Sequence, residues 1–232
     1  MIHLYIRYIA GLLLILFGGI ILYLQNADKL GFYVYPTHII YISLSAFVLI
    51  LTGVFIIFVK RGIHFHLENT YLLPVLFIPI LLVLFFPSKP LSSDAALARG
   101  VVEDLPVFAA DTSFSFNVDP KNRQILDWIK AFNADPEPNS YVGQEVDIQG
   151  FVVPSEIPNT FFITRFYIAC CAADARPIAI PVEYSGDFTP AKDDWLEIER
   201  IMKSGIINGE RKVVIEMKKS TPIPVPSNPY AF

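Results

Sequence analysis

"YVGQEVDIQGFVV", residues 141–153, is where the hydrophobic period of the chain falls to two. Val146 and Ile148 alternate with polar neighbours, and Phe151–Val153 resume after Gly150. Alternation at period two puts one set of side chains on one face of an extended strand. Gly150 is expected at a bulge that bends this strand. Downstream, "TFFITRFYIA" (160–169), "RPIAIPVEY" (176–184), "DWLEIERIM" (194–202) and "RKVVIEMKKS" (211–220) read as further strands, with turns expected at 154–159, 185–192 and 204–210. Five short strands suit a small closed barrel, of which the OB-like design is the commonest; a fragment of a β-sandwich is the alternative.

The residues before 141 frame this barrel. "DPKNRQILDWIKAFN", 119–133, predicts a short amphipathic helix, with Asp119 as N-cap, Pro120 at the first helical position and Ile125, Trp128, Ile129 and Phe132 on one face. Residues 89–118 show no sustained period and read as a linker, so the β-rich domain is expected over 119–232. The tail "TPIPVPSNPYAF", 221–232, is proline-rich and expected to run extended along the surface.

Residues 1–88 are a different material. Three uncharged apolar runs, 8–24, 39–59 and 70–86, predict three transmembrane helices, because a hydrocarbon core of ~30 Å takes about 20 apolar residues as helix. Tyr5, Tyr8, Tyr23, Tyr33, Tyr35, Tyr41 and Tyr71 cluster near the run ends, as an interfacial aromatic belt would. Pro74 and Pro79 predict a kink in the third helix. The first run is read as retained, since no small-residue cleavage site follows it. Arg7, Lys60 and Arg61 lie on one side, and Lys29 and Lys89, with Arg99 further out, on the other. That bias favours an N-terminus inside a bacterial cell membrane and a C-terminal domain outside it.

Charge narrows the function classes. Residues 91–232 hold 13 basic and 20 acidic groups, a net of −7. Phosphate binding is driven by Lys and Arg releasing counterions, so a nucleic-acid partner is excluded for this domain. All four histidines, His3, His38, His64 and His66, lie in the apolar half. The β-rich domain therefore lacks the imidazole that Cys–His catalysis requires, and no nucleotide-binding or nucleophile-elbow motif is present. No enzymatic activity is expected.

One cluster remains. Cys170 and Cys171, the only cysteines, stand four and three residues before Asp174, with Arg165 and Arg176 as supporting neighbours. Three readings are open. Two thiolates and a carboxylate make a soft metal site suited to zinc, provided the strand breaks so that adjacent side chains converge. A strained vicinal disulfide is the second, giving an envelope thiol redox protein. The third is structural, two small apolar residues filling the barrel beside a turn-capping aspartate, within a purely structural interaction module. His64 and His66, spaced i and i+2 in "KRGIHFHLEN" (60–69), form a secondary metal candidate.

The chain resembles the YcgQ-like bacterial membrane proteins, a family of uncharacterised members often labelled permease subunits. The resemblance runs through 141–153, "FFITRFYIACCAADARPIAIPVEY" (161–184), the Trp195 strand and "PSNPYAF" (226–232). Its most specific piece is carried by Arg165, Phe166, Ile168, Cys170, Cys171, Ala173, Asp174 and Ala175. The resemblance implies an accessory subunit beside a multi-span permease in the same bilayer, with a suspected link to zinc. Several members have a His-rich loop before the third span, where this chain has only His64 and His66.

Overall fold

The computed structural model describes residues 2–59, 72–86, 88–100, 119–185, 190–217 and 220–232. The chain divides into two compact units, Met1–Lys89 and Pro90–Phe232.

The first unit is helical. α1 spans Ile2–Asn26 and α2 spans Pro36–Phe58. At 1.5 Å per residue they reach roughly 38 and 35 Å, enough to cross a hydrocarbon core of about 30 Å. Both are apolar enough to do so. The two pack closely because small residues face each other. A Cβ built at Gly53 would stand 2.6 Å from the Gly11 carbonyl oxygen and 2.8 Å from Ile15 Cγ1. Contacts that close are the usual way apolar helices associate without a hydrophobic drive between them. Two polar bonds fix the register: Ser43 donates to Gln25 Oε1 at 2.6 Å, and Arg7 donates to the Ile57 carbonyl at 2.8 Å. The second bond satisfies one of the orphan carbonyls at the α2 C-terminus.

The third expected span is not shown. α3 covers Leu72–Phe85, 14 residues or about 21 Å among the described residues, and residues 60–71 before it lie outside the described residues. Pro79 lies inside it, and Pro74 falls in its first turn, where a missing N–H costs no helical bond.

The second unit holds the five-stranded closed barrel. β1 is Glu145–Pro154, β2 Thr160–Tyr167, β3 Arg176–Tyr184, β4 Trp195–Ile207 and β5 Glu210–Met217. The circuit runs β1-β2-β3-β5-β4 and closes through β1–β4. All pairs in it are antiparallel except β3–β5. β1 serves two neighbours: Glu145–Phe151 pair with β4, and Phe151–Pro154 with β2. Gly150 sits one residue before this switch, in unbroken register opposite Leu196. Its role is therefore close approach rather than the expected bulge: a Cβ there would lie 2.7 Å from the Thr164 carbonyl oxygen.

β4 runs through the region expected to turn at 204–210, and the reversal is confined to Asn208 and Gly209, with φ of 51° and 82°. Two consecutive positive φ values make the tight hairpin link that matches strand twist. α5, Ile125–Ala134, packs Ile125, Trp128 and Ile129 onto the barrel core. It starts later than the Asp119–Pro120 signal suggests, because Pro120–Asn122 form a 3₁₀ turn and Gln124 is the N-cap, reciprocally bonded with Asp127. Tyr141 closes its far end, donating to the Ala131 and Asp135 carbonyls at 2.6 and 2.9 Å. Burial pushes that phenol up to about 12.

Two further pieces belong to this unit. Inside the segment read as a linker, α4 forms over Ser93–Arg99 and packs on the barrel through fully buried Ala96. The proline-rich tail ends in structure: β6 (Thr221–Pro222) joins β4, and β7 (Tyr230–Ala231) pairs in parallel with β2 at Phe166 and Tyr167. Tyr230 is buried, and its hydroxyl accepts from the Leu91 N–H at 3.3 Å.

Candidate metal centre

The β2–β3 connection is where the cysteines converge. β2 ends at Tyr167, and a single 3₁₀ turn, Ala172–Asp174, precedes β3. Cys171 is still extended, with φ −156° and ψ 169°, and acts as the turn's N-cap. The strand has ended before the pair, so the alternation that would splay adjacent side chains no longer applies.

Asp174 organises the turn. Its Oδ1 accepts from the Ala169 N–H at 3.1 Å, and its Oδ2 from the Cys170 and Cys171 N–H groups at 2.8 and 3.4 Å. The two sulfurs then lie 3.6 Å apart, and one ligand atom each from Cys170, Cys171 and Asp174 fall within 4.8 Å of one another. Cys170 is exposed, while Cys171 and Asp174 are half-buried. Both thiols are free.

Without a cation the site favours a neutral thiol at Cys170. Its hydrogen bond to Asp174, and secondarily its contact with Cys171, push the Cys170 thiol up to about 12. Burial pulls the Asp174 carboxyl upward, but hydrogen bonds from the Cys170 thiol and from the backbone of Cys170, Ala169 and Cys171 outweigh it and hold the group below its usual range. A coordinated cation reverses the preference, since thiol ligands are deprotonated when they bind.

The donor set fits a soft divalent ion. Two thiolates about 2.3 Å from one tetrahedral Zn²⁺ stand roughly 3.8 Å apart, close to the 3.6 Å found. A carboxylate offers about four lone-pair directions, so three backbone bonds leave room for a metal bond. The exposed side at Cys170 leaves a fourth position for water or a partner's ligand. A groove of about 710 Å³, lined by Glu145, Asp147, Glu199, Arg200 and Glu216 among others, shares no residue with this cluster.

Of the two supporting arginines, Arg165 holds its guanidinium 5.6 Å from the Trp195 ring centroid and donates one N–H to the Asn228 carbonyl at 3.4 Å; burial lowers its pKa. Arg176 opens β3 and is exposed. His64 and His66 lie outside the described residues. The residue that does reach the turn is Arg99 of α4, which donates to the Ala172 and Ala175 carbonyls. Its sequence signal was present: Ser92 as N-cap, Asp94 in the first turn, Arg99 in the last and Gly100 beyond, at φ 77°.

A broken strand whose paired thiols share an aspartate-ordered turn, within a five-stranded barrel, is the part of the chain for which a family match is found. The chain belongs to the DUF1980 C-terminal domain family. The match covers residues 112–232. The DUF1980 domain thus takes in all five barrel strands, α5 and the cysteine turn, and stops short of α4. No curated protein and no solved structure matches the chain.

Proposed function

We propose that this DUF1980 protein is a membrane-anchored accessory subunit of a multi-span permease, whose barrel binds a soft divalent metal, zinc foremost, through Cys170, Cys171 and Asp174. The observation that carries the reading is the convergence of three donor atoms within 4.8 Å on an exposed turn. Anchoring is supported by α1 and α2, which bury only 22% and 17% of their apolar windows within the chain. A core helix of a water-soluble protein would be mostly covered. The permease partner and the extracytoplasmic side rest on the YcgQ-like resemblance and on the basic-residue bias. The barrel, read as OB-like, presents the metal to the partner, and no catalytic step is assigned to it.

Elemental analysis of the full chain, purified reduced in detergent after zinc exposure, tests the metal. One zinc per chain is expected, lost in Cys170→Ser, Cys171→Ser and Asp174→Asn. Metal-free wild-type protein after that exposure overturns the reading. Co-purification of a polytopic membrane protein with the wild type tests the partner.

A further inference from the structure

We infer that Arg99 is the positioning residue of the Cys170–Cys171–Asp174 turn, and that through it ligand occupancy is coupled to the docking of α4. The coupling rests on the metal reading above; the positioning does not. Arg99 Nη1 donates to the Ala175 carbonyl at 2.6 Å, and both Nη atoms lie 3.3 Å from the Ala172 carbonyl. Those two carbonyls bracket Asp174. One belongs to the first residue of the 3₁₀ turn and the other to its C-cap, and a turn this short does not satisfy its own final C=O groups. The guanidinium also sits 5.8 Å from the ring centroid of Phe166, which is fully buried. A planar fork can hold two carbonyls and an aromatic face together; a lysine ammonium, a point charge on a flexible stem, cannot.

The turn is thereby held from both sides by chain remote in sequence. On one side the Ile168 N–H donates to the Ala231 carbonyl at 3.4 Å. On the other stands α4, fastened by the Ser93 N–H to Asp193 Oδ1 at 2.6 Å and by the Asp94–Lys192 ion pair. α4 has seven residues. Isolated helices shorter than about 12 residues are marginal in water, so α4 is a helix only while docked. It therefore has two states, docked and released, and only the docked one holds the turn. A metal that needs the turn in place favours docking, and by linkage docking raises metal affinity by the same factor. α4 belongs to the same compact unit as the turn but lies outside the matched 112–232.

The test uses full-length protein in detergent, comparing wild type, Arg99→Ala and Arg99→Lys. Zinc affinity is read by chelator competition, α4 amide exchange is followed with and without zinc, and Cys170 alkylation is timed in metal-free protein. Removing a residue bonded directly to a metal ligand typically weakens binding about 10- to 100-fold; Arg99 bonds the turn's carbonyls and not a ligand, so a loss near the ~10-fold lower end is expected for Arg99→Ala, with Arg99→Lys recovering only part of it. Zinc slows α4 exchange in the wild type and leaves it unchanged in Cys170→Ser. Metal-free Arg99→Ala is alkylated faster, because the loosened turn no longer fixes the Cys170 sulfur beside that of Cys171. Wild-type zinc affinity and alkylation in Arg99→Ala would overturn the inference. Should wild type take no zinc while Arg99→Ala still speeds alkylation, the metal reading and the coupling fail and Arg99 stands as positioning the turn.

Discussion

The helical unit and the barrel unit are built inside out with respect to each other. In α2 three of the four buried residues, Ser43, Ala46 and Gly53, are small, with Ile56 the fourth, while Tyr41, Phe47, Leu51, Phe55 and Phe58 are exposed. In the barrel the order reverses: Trp128, Phe161, Phe166 and Ile198 are sealed in, and most outward positions carry charge, Glu199, Glu210, Arg211 and Glu216 among them, with Ile201 and Ile206 as apolar exceptions. One polypeptide thus follows two burial rules. Each surface suits a different solvent, and the difference supports lipid around the first unit and water around the second.

That contrast can be broken most forcefully at the barrel core. Trp128→Ala removes a side chain with no exposed surface, at an expected cost of about 3–5 kcal/mol. Urea unfolding followed by circular dichroism measures it, and a cost under ~1 kcal/mol would mean the core is not organised around this ring. Phe47→Lys asks the opposite question of α2. A lysine near the centre of a spanning helix costs about 2.5–3.5 kcal/mol on insertion, whereas an exposed site in water tolerates it within about 0.5 kcal/mol. A membrane-insertion assay that scores no loss would remove the lipid-facing reading.

Gly53→Val probes helix association instead. Its Cβ would press on the Gly11 carbonyl, which is backbone and cannot swing aside. Overpacking of this kind costs about 1–3 kcal/mol, read as lost cross-linking between cysteines placed on α1 and α2.

The smallest effect concerns a proton. With its thiol raised to about 12, Cys170 holds its proton more tightly folded than unfolded. The stabilisation from that proton is present below the ordinary thiol value and is lost as pH rises through about 12. In metal-free protein, alkylation of Cys170 accelerates only toward that pH, and Asp174→Asn brings the acceleration down toward the ordinary value. An unchanged profile in Asp174→Asn would show that the carboxylate does not hold the thiol.

Much of the barrel was legible because burial on one face leaves a period-two record. Val146, Ile148 and Ile198 carry it, and the strand boundaries fall within a few residues of the pattern, apart from the extension of β4. Three features left weaker traces. α4 is too short for periodicity, although its terminal residues mark both ends. β6 and β7 are two residues each, and Pro222 and Pro229 mask them in a tail that reads as unpaired. The expected third span has length in sequence that α3 does not show as helix. Of the site, the two thiols and Asp174 were visible as residue types, but their convergence was not. It depends on three backbone N–H groups aimed at one carboxylate and on an arginine more than 70 positions away.

The doubled allegiance of β1 has a kinetic meaning. The β4–β5 hairpin closes over Asn208 and Gly209 alone, a local event of microseconds. The β1–β4 seam joins positions remote in sequence, such as Gln149 and Glu197, separated by 48 residues. Its loop-closure entropy must be met before any seam contact rewards it. The cylinder is therefore expected to be rolled up late in folding, with the hairpin waiting as a template for the strand that arrives from upstream.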